Sequence, residues 1–328
     1  MSEEHNVQVN GCGRGAQALP VSSEAVWSGL SESLHRSSGL GISLMLFRKA
    51  ALIGALVLSC PIAAGAQEMA SFTRYRPPPR GTSDTYVVTL SVTGTAAPSY
   101  LGSDKATGVF FPSLNYRRSD EPRRFLAPDD GASISFLEEP SFRFGPVFRF
   151  QSGRNQRDDR ALRGIRNRQY DLESGLFLEY WPLTFIRARA EIRHGFQDDS
   201  GWTGNLALDF INQMGPWTAS VGPRMALSDS RQHFRHFGVT PTDALFNPRV
   251  VPFRPNGGVT SVGALAAVTY RWSETWATTG FVGYDRLVGD AARSPITERI
   301  GSADQLTVGL RVSYSFSYTP GTGLAALP

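Results

Sequence analysis

The chain has 328 residues, 41% of them hydrophobic and 11% aromatic, with 33 glycines and 21 prolines. That aromatic content excludes a disordered chain, and the turn-forming residues fall short of low complexity. The formal charge is +4 and 31 of the 33 basic residues are arginines; they form no basic run, which excludes a nucleic-acid partner. The two cysteines, Cys12 and Cys60, are too few for a disulfide framework.

In chain order, residues 1–44 are Ser- and Gly-rich without periodicity and read as a non-native or disordered extension. Residues 45–66 carry Arg48-Lys49, an apolar run from Ala51 to Leu58, and Ala64-Gly65-Ala66. This is the pattern of a secretory signal peptide cleaved after Ala66, with Met45 as the expected start. Leu58 stands where lipidation of Cys60 would need a small residue, so a lipid anchor is not expected. Residues 67–84 read as a periplasmic segment, 85–316 as the membrane domain and 317–328 as a C-terminal tail.

No stretch after Ala66 has the 18 or more apolar residues that a membrane helix requires. Alternation replaces it. Phe142, Phe144, Phe148 and Phe150 share one face against Arg143, Gly145, Val147 and Arg149. Leu172, Leu176, Leu178 and Tyr180 oppose Asp171, Glu173, Gly175 and Glu179. Ile186, Ala188, Ala190 and Ile192 oppose Arg187, Arg189, Glu191 and Arg193. Trp217, Ala219, Val221, Pro223, Met225 and Leu227 oppose Thr218, Ser220, Gly222 and Arg224. The runs from Val262 to Tyr270 and from Leu306 to Phe316 repeat the pattern. Side chains along a strand point to opposite faces with period two, so each run has one oily face and one polar face.

Strands are expected near 85–93, 107–117, 141–151, 169–180, 184–195, 202–212, 216–227, 259–271, 275–287 and 304–316. Short turns such as Gln213–Pro216 alternate with long loops such as Gly153–Asn167, Asp229–Gly258 and Gly289–Ala303. Short turns on one side and long loops on the other describe a transmembrane antiparallel β-barrel of the outer membrane. The stretch 122–137 is broken by Pro128-Asp-Asp-Gly131. A hairpin there makes twelve strands, the even number such barrels carry; ten is the alternative, with this stretch outside the wall.

Among chemistry-bearing residues, His194, Asp198, Asp199 and Ser200 are adjacent in sequence, which is not how a triad is built. Asp229, His233 and His236 lack the tight spacing of a metal site, and no cofactor is indicated. Arg154, Arg157 and Arg160 beside Asp158-Asp159 read as a solvated, self-paired loop, with phosphate bridging through arginine forks as the functional counterpart. Arg187, Arg189, Glu191 and Arg193 with Glu173 and Glu179 form a candidate lumen charge ladder. It either pairs across neighbouring strands or lines an anion-favouring pore. Tyr180, Trp202, Trp217, Trp272 and Trp276 read as an interfacial belt against outer-membrane lipid.

Several short motifs resemble those of the MipA/OmpV family of outer-membrane proteins. They are Pro98-Ser-Tyr-Leu-Gly-Ser103 (with Tyr100, Gly102 and Ser103), Gly145-Pro146, Asp158-Asp159 with Gly164, and Gly222-Pro223-Arg224. The most specific are Phe237-Gly238-Val239-Thr240-Pro241 and Leu287-Val-Gly289-Asp290-Ala-Ala-Arg-Ser294-Pro295. The resemblance implies a non-enzymatic scaffold without catalytic residues. It also implies partners in murein turnover, a lytic transglycosylase and a penicillin-binding protein. A small-solute channel and an adhesin are the alternatives.

Overall fold

A computed structural model describes residues 83–139, 141–321 and 323–327. The chain divides into two units, Met1–Gln67 and Glu68–Pro328, and every described residue belongs to the second. The extension, the signal peptide and most of the periplasmic segment lie outside the described residues.

The described residues form one antiparallel sheet. Its first members are β1 (Tyr86–Pro98), β2 (Ala106–Arg118), β3 (Ala132–Ser133), β4 (Leu137–Glu139) and β5 (Phe142–Gln151). Then follow β6 (Asp171–Leu183), β7 (Ile186–Gly195), β8 (Trp202–Met214), β9 (Trp217–Ser228) and β10 (Gly258–Arg271). The series ends with β11 (Trp276–Leu287), β12 (Asp304–Thr319) and β13 (Gly323–Ala326). Among the described residues three α-helices interrupt it: α1 (Ser230–Phe237), α2 (Pro241–Phe246) and α3 (Gly289–Arg293).

The spatial order is β2-β1-β12-β11-β10-β9-β8-β7-β6-β5-β3, with β4 on β5 and β13 on β12. First and last long strands are joined: β1 and β12 run in register from Tyr86 opposite Tyr318 to Ala96 opposite Val308. The sheet's two ends instead fall inside the chain, at β2 and at β3 with β4. Among the described residues β2 pairs with β1 alone.

Ten strands are long, the second of the two expected counts. The predicted hairpin of 122–137 does not supply two more spanning strands. Pro122 and Pro128 remove ladder donors, and Arg123, Arg124, Asp129 and Asp130 cannot face lipid. The chain therefore rises only to a turn at Ala127–Asp130, where the Asp130 amide donates to Ala127 O at 3.1 Å. It descends through β3, opposite Val147 and Phe148, and β4, opposite Phe142–Phe144. At the other terminus β12 continues past Phe316 to Thr319 and β13 folds back on it.

The oily faces point outwards. Leu172, Leu176, Leu178, Tyr180, Ile192 and Phe210 are exposed, as strands bathed in hydrocarbon require. Aromatic contacts band the short-turn end: Trp217 and Tyr270 lie 4.5 Å apart, Tyr270 and Trp272 4.5 Å, Trp276 and Tyr314 4.8 Å. Trp202 stands at the long-loop end against His194, 5.0 Å away. No helix among the described residues is long and apolar enough to cross a membrane.

Candidate functional site

Period-two geometry on β7 turns Arg187, Arg189, Glu191 and Arg193 inwards, and the β6–β7 register sets Glu179 opposite Arg189. Arg187 is the hub. Its Nε donates to Glu179 at 3.0 Å, Nη1 to Asp209 at 2.7 Å and Nη2 to Asp130 at 2.6 Å. Arg189 donates to Glu191 at 2.9 Å and Glu179 at 3.2 Å, and its guanidinium lies 4.2 Å from the Phe177 ring. Arg193 reaches Glu173 at 3.0 Å and also pairs with Glu191. Arg187, Glu173 and Glu179 are each 0% exposed. A buried charge is tolerated only when paired and hydrogen-bonded, and each of these is.

The alternation on β6 and β7 names the ladder but not the residues that complete it. Asp209 on β8 pairs with both Arg187 and Arg224 of β9. Arg143 and Arg149 on β5 reach Glu179 at 3.0 Å and Glu191 at 3.1 Å. Asp171, on the same polar face of β6 as Glu173 and Glu179, accepts from the Phe196 and Gln197 amides and from Ser200 Oγ at the loop end.

The turn of the short hairpin enters this network as a plug. Asp129 pairs with Arg224 at 2.8 Å and Asp130 with Arg187 at 2.6 Å. Arg149 and Arg311 donate to the Asp129 and Pro128 carbonyls at 2.6 and 3.2 Å. Lower down, Arg143 holds Ser135 Oγ at 2.7 Å and Arg189 holds Ser133 Oγ at 3.2 Å. Phe125 lies beneath the Arg187 guanidinium, 5.4 Å from ring centre to carbon. Two adjacent aspartates in a turn are common enough in sequence that nothing marked Asp129-Asp130 as an interior counter-charge.

The long loops close the other end with a core of their own. Tyr100, Leu162, Ile165, Val239, Val250, Ile296 and Ile300 pack together, beside a second cluster of Phe237, Leu287 and Ala291. The two most specific motifs meet here: Ser294 Oγ donates to Phe237 O at 2.7 Å across 57 residues. Thr240 and Asp243 form a reciprocal capping box, and Pro241 opens α2 in the first turn. Gly238 ends α1 by donating to Phe234 O. Gly102 sits at φ +90° with its amide on Gln305 Oε1, while Ser103 Oγ bonds Ser99 Oγ at 2.9 Å. Gly289 precedes Asp290, whose carboxylate accepts from the Asn256 amide at 2.7 Å, and Pro295 leads into the turn Ile296–Ile300. Gly222 is inside the wall, where any side chain would collide with the Leu208 carbonyl; its neighbour Pro223 faces out.

The remaining candidates scatter. Asp229 caps α1 through the Gln232 amide at 2.8 Å, and His233 Nε2 lies 3.4 Å from Thr260 Oγ1. Burial, then the charges of Arg235, Arg154 and Arg168, hold His236 down at about 3. His194 turns outwards while Ser200 engages Asp171 and Asp199 engages Arg168 and Arg235. Asp159 caps the 3-10 turn Arg160–Leu162 and pairs with Lys105 at 2.5 Å. Arg154 is not the solvated residue expected from its neighbours. It is 4% exposed and donates to His236 O.

Between plug and cap a cavity of about 250 Å³ remains, lined by Arg149, Arg193, Asn205, Gln232, His236 and Asp285. Lipid-facing strands, an ion-paired interior and a loop cap at one end define an outer-membrane β-barrel. Residues 90–316 match the family described as MltA-interacting protein MipA, and the chain belongs to that family.

Among solved structures the chain is similar to an outer membrane channel from Pseudomonas putida F1, with 8% identity, 74% of this chain and 98% of that one covered, and a TM-score of 0.33. It is also similar to the outer membrane protein OmpT of Vibrio cholerae, at 5% identity, 72% and 98% coverage, and a TM-score of 0.30. The N-terminal barrel of OprF from Pseudomonas aeruginosa follows at 7%, 70% and 97%, with a TM-score of 0.23. No curated protein matches the chain.

Proposed function

We propose that this protein is a plugged, non-enzymatic barrel that serves as an outer-membrane adaptor for murein-turnover enzymes. The observation that carries this reading is the ion-paired interior with its plug. Arg187 alone holds three carboxylates, one of them from the plug. A conducting pore needs an open polar path, whereas here the charges that would line it are spent on one another. The family's description as MltA-interacting supports a protein partner; the partners that the sequence resemblance implies are a lytic transglycosylase and a penicillin-binding protein. The short-turn end, with the hairpin entrance at Arg117–Arg124, faces the periplasm and is the surface such partners would meet.

Two measurements test it. Tagged protein isolated from outer membranes should retain a murein hydrolase or synthase through crosslinking, and recovery of neither would sink the adaptor reading. Purified protein in planar bilayers should stay silent. Steady single-channel conductance of the unaltered chain would instead favour a small-solute channel.

A further inference from the structure

Three arginines at the outward end are not explained by the closed interior. Arg154 and Arg168 are antiparallel bridge partners at the base of the β5–β6 loop, exchanging backbone hydrogen bonds at 2.8 and 2.7 Å. Residues directly opposite in such a pair present their side chains to the same face. Arg235, in the last turn of α1, brings the third guanidinium and donates from Nη2 to Gln169 O at 2.8 Å. The three are 4%, 9% and 3% exposed.

Their compensation is incomplete. Asp199 bridges Arg168 and Arg235 with its two oxygens, and among the described residues no other carboxylate lies within 4.0 Å of the three. Arg154 has the His236 carbonyl and no carboxylate. The Nε of all three is buried without a hydrogen-bond partner. Neighbouring acids are engaged elsewhere: Asp171 with backbone amides, Glu173 with Arg193, Asp243 in its capping box. Burial, and then the charge of Arg168, pull Arg154 down to about 10. The counter-charge itself is the exposed member, Asp199 being 41% exposed on the β7–β8 loop.

We propose that Arg154, Arg168 and Arg235 form a phosphate-binding site at the outward mouth of the barrel, with Asp199 the internal carboxylate that an arriving phosphate displaces. Guanidinium forks match phosphate oxygens in pairs, and a dianion brings the two charges that Asp199 leaves unmet. Asp199 faces water, so it can swing aside at little cost. The phosphate is carried by a lipid headgroup of the outer leaflet or is free in solution; both present the same group.

The test uses full-length protein in zwitterionic detergent with inorganic phosphate as probe, read by calorimetry. Asp199→Asn should tighten phosphate binding about tenfold, the worth of a charge-assisted hydrogen bond released. Adding Arg168→Gln or Arg235→Gln to that variant should abolish the gain. Unchanged affinity in Asp199→Asn, or a gain that survives loss of either arginine, overturns the proposal. Should Asp199→Asn fail to fold, the unaltered protein carries the test. Millimolar phosphate should raise its unfolding temperature beyond chloride of equal ionic strength, and equal shifts refute the site. Competition by vesicles of phosphorylated glycolipid, but not of the dephosphorylated lipid, assigns the site to a headgroup; no competition by either assigns it to free phosphate.

Discussion

The interior wall has two halves built by the same alternation and held together by different chemistry. From β5 to β9 the inward residues are charged, and arginine–carboxylate pairs tie the strands to one another and to the plug. From β10 through β12 to β1 they are mostly small or hydroxylic, with Asp285 and Arg311 the charged exceptions. There the strands are laced by pairs such as Thr269 with Thr279 at 2.8 Å, Thr89 with Ser315 at 2.8 Å and Ser91 with Ser313 at 2.9 Å. The charged half depends on a distant element, the hairpin turn, while each hydroxyl pair is complete within two neighbouring strands. A neutral hydrogen bond contributes about 1 kcal/mol, whereas removing one member of a buried ion pair costs about 3–5 kcal/mol. The halves should therefore answer mutation very differently.

Arg187→Ala should have the largest effect, since it removes one buried partner from Glu179, Asp209 and Asp130 at once. A loss of about 3–5 kcal/mol is expected, visible as a lowered unfolding temperature in detergent. A loss no greater than that of a hydroxyl pair would end the distinction between the halves. Replacing Asp129 and Asp130 with asparagine should cost less, because Arg187 keeps Glu179 and Asp209. It should loosen the plug, seen as trypsin cleavage after Arg123 or Arg124 at enzyme levels that leave the unaltered chain whole.

The loop cap has its own pH signature. His236 is held at about 3 in the folded chain against 6.5 ordinarily, by burial first and then the neighbouring guanidiniums. The unfolded imidazole takes its proton as pH falls through about 6.5, and the folded one does not until about 3. Its contribution is thus complete above 6.5 and declines as the pH drops towards 3. His236→Gln should flatten the dependence of unfolding temperature on pH across that window; an unchanged slope would show that the cap opens before the ring is protonated. Thr279→Val should be mildest, at about 1 kcal/mol or less, and a loss rivalling Arg187→Ala would reverse the comparison.

Strands and their inward faces were legible because period two survives in any long wall. Arg187, Arg189, Glu191 and Arg193 could be placed on one face from spacing alone. Their partners were less accessible: Asp209 is a single acid in an apolar run, and Asp130 reaches Arg187 across 57 residues. The cap was least visible. Loops have no period, so Leu162, Ile165, Val250 and Ile296 gave no sign of packing together. Arg154 stood among exposed charges in sequence and is buried in space.

The position of the sheet's ends bears on how the chain could be rewired. The β1–β12 ladder, from Tyr86 opposite Tyr318 to Ala96 opposite Val308, is continuous, so the two terminal strands already lie side by side. The discontinuity falls between β2 and β5, where the hairpin stands in for a ladder. A circular permutant that links the old termini and opens the chain near Asp120 would thus move its new ends to a place the sheet already leaves unjoined. The hairpin thus marks the one break in an otherwise continuous run of strand neighbours among the described residues.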